Sequence, residues 1–165
     1  MNYTLLGESG LRVSEAAVGT MTFGDERGWG SPKDGAQKVY ETYREAGGNF
    51  IDTANFYTGG TSETFVGEFI KGHRDSVVLG TKYSNAVPGN DPNAAGNHRK
   101  SMTQALEASL KRLQTDYIDL YWVHTACQRA PSISPVPGRG LVAHQNATLL
   151  RWIVDTRTPC LKDAH

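Results

Sequence analysis

The feature that most constrains this chain is an alternation. Short, nearly continuous apolar runs, NFIDTA, SVVLGTK and YIDLYWV, are separated by segments whose apolar residues recur with a helical period. Strands of this kind are buried on both faces, which requires a parallel sheet covered by helices. Right-handed crossovers then bring the C-terminal ends of all strands to one rim.

The segments between the runs support this reading. TLL-GESG-LRV predicts a β-hairpin, and EAAVGT a small-residue strand from Ala16 to Gly19. SPKDGAQKVYETYREAGG predicts a helix with Ser31 as N-cap, Pro32 in the first turn and Gly47-Gly48 at its end. Its apolar face is Ala36, Val39, Tyr40 and Tyr43. TSETFVGEFI predicts a short helix that turns Phe65, Val66, Phe69 and Ile70 inward. NHRKSMTQALEASLKRL predicts the longest helix, with Asn97 as cap and Met102, Leu106, Leu110 and Leu113 as its stripe. Glu107 and Lys111 stand at the spacing of an ion pair along it. No Gly-x-Gly-x-x-Gly follows the first strand, so the doubly wound dinucleotide fold is disfavoured. A (β/α)8 barrel fits better, although such a barrel needs eight strands and about 250 residues. The fold class expected is therefore α/β, a partial (β/α)8 barrel of about four N-terminal βα units preceded by a hairpin.

Charge divides the chain in two. Residues 1–124 hold 12 basic and 15 acidic residues, whereas 125–165 hold 5 and 2. Both cysteines, Cys127 and Cys160, and four of the seven prolines lie in the second piece. The expected organisation is a domain over 1–124 and a poorly ordered tail over 125–165. A formal net charge of zero argues against a nucleic-acid or anionic-membrane footprint. No apolar run reaches membrane-spanning length and no signal sequence opens the chain, so the expected location is the cytoplasm. Two cysteines make no disulfide framework and show no metal-ligand spacing. Asn146-Ala147-Thr148 matches a glycosylation acceptor, which carries little weight without a secretion signal.

Three strands finish in ionisable side chains. Asp52 ends FID, Lys82 ends VVLGTK and His124 ends LYWVH, while Tyr57 follows Asp52 in the next loop. In a parallel barrel these positions gather at the mouth where barrel enzymes do their chemistry. A buried charge there needs a partner, and Asp52 and Lys82 can pair. A free tyrosine has a pKa near ~10, and a neighbouring ammonium lowers it by stabilising the phenolate. Asp52 would orient the ammonium and His124 would hydrogen-bond a substrate oxygen, so that Tyr57 protonates a carbonyl as a hydride arrives. Singly, each residue has a plainer reading: a strand-end lysine is usually just solvated, and such a histidine is usually a rim residue. The joint pattern is what favours chemistry.

GTMTFG (19–24), NFIDTANFYTGGTSE (49–63), VVLGTKY (77–83) and NHRKSMTQALEASLKRLQTDYIDLYWVH (97–124) resemble the aldo-keto reductases, particularly the branch similar to potassium-channel β subunits. The resemblance implies a (β/α)8 barrel that reduces aldehydes and ketones with NADPH. It places the catalytic tetrad on Asp52, Tyr57, Lys82 and His124, with Tyr57 as the acid. It implies that Gly19, Thr20, Met21 and Asp52 approach the nicotinamide end of the cofactor. It makes Trp29 and the loop SNAVPGNDPNAAG walls of the substrate pocket, although Trp29 is as readily an ordinary loop aromatic.

After His124 the resemblance stops. The later units that carry most of the family's cofactor grip have no counterpart in TACQRAPSISPVPGRGLVAHQNATLLRWIVDTRTPCLKDAH, whose one apolar run, ATLLRWIV, suits a short helix or strand. A frame change or alternative splice after His124 is the expected origin of the tail. Two function classes stay open: an NADPH-dependent carbonyl reductase acting on a small carbonyl substrate, or a truncated, inactive fragment or interaction module. In either case the chain is expected to bind NADPH weakly, for want of those later units, and to self-associate through open sheet edges.

Overall fold

The computed structural model describes residues 1–85, 91–125 and 153–154. Part of the expected pocket loop and nearly all of the expected tail, with Cys127, Cys160 and Asn146, lie outside the described residues.

The chain opens with the expected hairpin, β1 (Tyr3–Leu5) antiparallel to β2 (Arg12–Ser14). Next come β3 (Val18–Gly19), helix α1 (Lys33–Glu45), β4 (Phe50–Asp52), α2 (Thr61–Phe69), β5 (Val78–Tyr83), α3 (Arg99–Leu113) and β6 (Leu120–Val123). Strands β3 to β6 lie side by side in chain order, all parallel, with a helix between each pair. This is the architecture of part of a (β/α)8 barrel. Ile153–Val154, within the ATLLRWIV run, form β7, which extends the sheet parallel to β6.

Side chains of one face of the sheet meet the helices. Ile51, Leu79, Tyr83 and Tyr121 pack there with Val66 and Ile70 of the α2 segment and Met102, Leu106 and Leu113 of α3. The alternate residues face the barrel interior. Val78 and Leu120 cluster with Val13 and with Leu6 and Leu11 of the hairpin, which covers the barrel's lower end. Alternation then carries Lys82 and His124 to the interior at the upper end.

Several local expectations need correction. Helix α1 begins with Pro32 at the cap and no side-chain bond, while the Ser31 hydroxyl donates to the Pro32 carbonyl. Val39 is exposed, because the buried stripe of α1 is narrow and centred on Ala36 and Tyr40. His98, not Asn97, caps α3: its Nδ1 accepts from the Ser101 N–H at 3.1 Å. Glu107 and Lys111 are not among the ion pairs of the described residues. Strand β6 starts at Leu120, three residues later than the apolar run suggests. The carboxylate of Asp119 accepts from the Leu79 N–H at 2.9 Å and from Arg74 at 2.7 Å, while the Asp119 N–H donates to the Leu79 carbonyl at 3.0 Å, so a side chain supplies one of the two bonds to Leu79 there. Arg74 also donates to the Val77 and Tyr117 carbonyls and stacks 3.8 Å from the Tyr117 ring centroid.

Helices α2 and α3 touch at Gly67. A Cβ on Gly67 would lie 2.6 Å from the Leu113 carbonyl group and 2.7 Å from the Arg112 oxygen. Gly67→Ala raises helix propensity yet should destabilise the fold by about 1–3 kcal/mol, because backbone must move to admit the methyl. Urea unfolding checks this; a stabilised Gly67→Ala variant would show that α2 and α3 are not in this contact.

Candidate active site

Each site residue is placed by the strand it ends or follows. Asp52 closes β4, Lys82 lies near the end of β5 and His124 directly follows β6. Tyr57 opens a tight turn over 57–60 in which Thr58 and Gly59 leave helical geometry, with Gly60 at φ 106° leading into α2.

The structure brings all four together. The Lys82 ammonium donates to Asp52 Oδ2 at 2.7 Å, to the Thr53 carbonyl at 2.9 Å and to Tyr57 Oη at 3.2 Å. Its Nζ stands 4.9 Å from the Tyr57 ring centroid. The His124 ring meets Tyr57 edge to face, with centroids 5.7 Å apart. Phe56, to which the sequence assigns no role, packs against both rings at 5.4 and 5.0 Å. Only the fold could show this, since Phe56 carries no chemistry to single it out.

His124 Nδ1 is buried without a partner among the described residues. A buried N–H with nothing to donate to is costly, which favours the neutral tautomer with its proton on Nε2. Burial, followed by the Lys82 charge, holds His124 below the usual histidine range, against the opposing pull of Asp52. The amide of Asn55 in the same loop is also fully buried, with neither end paired among the described residues.

Around the mouth, Gly19 ends β3 beside Asp52. A Cβ on Gly19 would meet nothing within 4 Å, so there is open space above it, and Met21 is exposed. Thr20 is fully buried behind them. Its hydroxyl shares a 2.8 Å bond with Ser62 Oγ, and its N–H donates to the Asp52 carbonyl at 3.0 Å. Thr20 is thus tied into the packing beside Asp52, whereas Gly19 has open space about it and Met21 is exposed. Trp29 is an exposed loop aromatic. The loop after β5 is tied to the end of β6: Ser84 Oγ accepts from the Thr125 N–H at 2.8 Å and donates to the Thr125 carbonyl at 3.1 Å.

The aldo/keto reductase family model matches residues 16–148. The chain belongs to the aldo/keto reductase family. It is 44% identical over 132 residues to a norsolorinic acid reductase of Aspergillus flavus, covering 73% of this chain and 34% of that protein. It is 40% identical over 130 residues to an aryl-alcohol dehydrogenase [NADP(+)] of Phanerodontia chrysosporium, covering 70% and 34%. The chain thus spans about a third of the length of these curated relatives. Among solved structures it is similar to the holo form of an aldo-keto reductase from Bacillus halodurans. The TM-score is 0.62 at 35% identity, with 74% of this chain and 40% of the other covered. The match to the family model extends past the charge break at residue 124.

His124 offers a direct test of this electrostatic arrangement. Its proton NMR titration, assigned with His124→Gln, should give a pKa below the ordinary value of about 6.5. Lys82→Met should raise it by removing the repelling charge. Because the folded pKa is depressed, the linked stability is present above about pH 6.5 and is lost as pH falls through the folded value. A parent pKa at or above the ordinary value would contradict the placement of Lys82 and the burial of the ring.

Proposed function

We propose that the protein reduces aldehydes or ketones with NADPH, using Tyr57 as proton donor. The observation that carries this reading is the Lys82 ammonium, which touches the Asp52 carboxylate and the Tyr57 phenol at once. Tyr57 Oη accepts from Lys82, so its own O–H points away from Lys82 and is free to donate to a carbonyl oxygen. His124, neutral with its proton on Nε2, is a second donor for the same oxygen. As the proton leaves Tyr57, the Lys82 charge stabilises the phenolate, and Asp52 with the Thr53 carbonyl keeps that charge in place.

NADPH, when bound, supplies the hydride. The open space above Gly19, beside Asp52 and the exposed Met21, suits the flat nicotinamide end of such a cofactor. The name of the aryl-alcohol dehydrogenase relative supports NADP as the nucleotide and an aromatic aldehyde as the substrate class to try first.

Tyr57→Phe removes the proton and keeps the ring. General acid catalysis is worth ~10²–10⁴-fold, and the loss is expected in kcat with little change in cofactor affinity. Turnover of an aromatic aldehyde with NADPH, followed by cofactor absorbance, measures it. Wild-type turnover in Tyr57→Phe would remove Tyr57 from the role of acid.

A further inference from the structure

Among the described residues, one charged group is completely buried and has no part in the chemistry proposed above. Glu63, in the first turn of α2, has no solvent exposure. Its Oε1 accepts from Thr81 Oγ1 at 2.6 Å, and its Oε2 accepts from Arg112 Nε at 2.7 Å. The three residues belong to α2, β5 and α3, so one carboxylate ties three elements together. Thr81 precedes Lys82 on β5 and points to the opposite face, toward the helices. Glu63 follows Tyr57 by six residues, at the point where the Tyr57 turn becomes helix.

We infer that Glu63 is a positioning residue for Lys82, fixing the upper end of β5 against the helix that begins at the Tyr57 turn. This rests on the reading of Tyr57 and Lys82 as the proton-donating pair. Tyr57 and Lys82 come from different βα units, and their 3.2 Å contact depends on how α2 sits on β5. Apolar packing between the two tolerates small sliding, whereas a hydrogen bond to a carboxylate is short and directional. Arg112 fixes the carboxylate so that Thr81 has a single acceptor position. The Arg112 shaft is itself held under the Tyr57 turn, where a Cβ on Gly60 would lie 2.8 Å from its Cδ. A buried ion pair gives little net stability compared with well-packed apolar residues, so geometry is the better account of this one.

Truncating Glu63 would strand Arg112 and endanger folding. Thr81→Val is the cleaner variant, because it keeps the shape and the ion pair and deletes only the bond to the strand. The readout is the rise in the His124 pKa caused by Lys82→Met, measured by NMR on the full chain, which reports where the ammonium stands. In the Thr81→Val background that rise should fall to less than half, with cooperative melting kept. Thr81→Ser, which restores a hydroxyl, should restore the rise. An undiminished rise in Thr81→Val overturns the inference. So does a loss that Thr81→Ser leaves unrepaired, or one that comes only with loss of cooperative melting. The measurement needs no turnover, so its outcome is separate from whether the protein reduces a carbonyl.

Discussion

An ammonium has three protons to donate, and Lys82 spends all three within the site, on Asp52, the Thr53 carbonyl and Tyr57. Its side chain is only 16% exposed, so water cannot readily replace a lost partner. The geometry of the mouth follows from this. With every donor committed, Lys82 has one orientation, and Tyr57 must accept from it. The phenol proton is thereby directed outward, and the tilt of His124 against the Tyr57 ring sets where a second donor stands. Burial first, and then the same positive charge, lowers the pKa of the neighbouring imidazole and so favours the neutral form of His124.

The floor beneath this constellation is polar where a simpler protein would be apolar. Ser62 donates to the Thr20 carbonyl at 2.7 Å and shares bonds with the hydroxyls of Thr20 and Thr53 at 2.8 and 3.2 Å. All three residues are fully buried. The ends of β3 and β4 and the start of α2 are therefore joined by small hydroxyls whose bonds fix direction as well as distance. Apolar side chains of similar size would fill the space without specifying the angle at which Asp52 and Gly19 meet the mouth.

How much of this could be read from sequence depended on range. The strand ends were legible because nearly continuous apolar runs stop abruptly at Asp52, Lys82 and His124, and the Asp52–Lys82 pair follows from cost alone. Local chemistry was less legible. Asn97 and His98 are both plausible caps for α3, and only backbone geometry selects His98. Asp119 reads as part of an apolar strand, but its carboxylate takes the Leu79 N–H while its own N–H pairs with the Leu79 carbonyl, and β6 begins one residue later. Glu63 was hidden within a helix read for its apolar positions. Its partners Thr81 and Arg112 lie 18 and 49 residues away, and no period in the sequence joins them.

Backbone strain is concentrated where the proposed chemistry lies. Among the described residues, three that are not glycine have positive φ: Thr58 at 47°, Ser84 at 91° and Gln114 at 52°. Gln114 is the ordinary left-handed end of α3. The other two flank the site, Thr58 beside Tyr57 and Ser84 two residues after Lys82. A β-branched residue at positive φ is a genuine outlier, and such residues persist only where the surroundings overdetermine them. Here each is held by its own hydroxyl. Thr58 Oγ1 donates to the Phe23 carbonyl at 2.6 Å and accepts from the Ser62 N–H at 3.1 Å. Ser84 Oγ clasps Thr125 on both its N–H and its carbonyl. Glycine would adopt either conformation at less cost and would leave the turn free to move. A hydroxyl-bearing residue in the same conformation accepts the strain and locks the turn, which holds Tyr57 against Lys82 on one side and His124 beside β5 on the other.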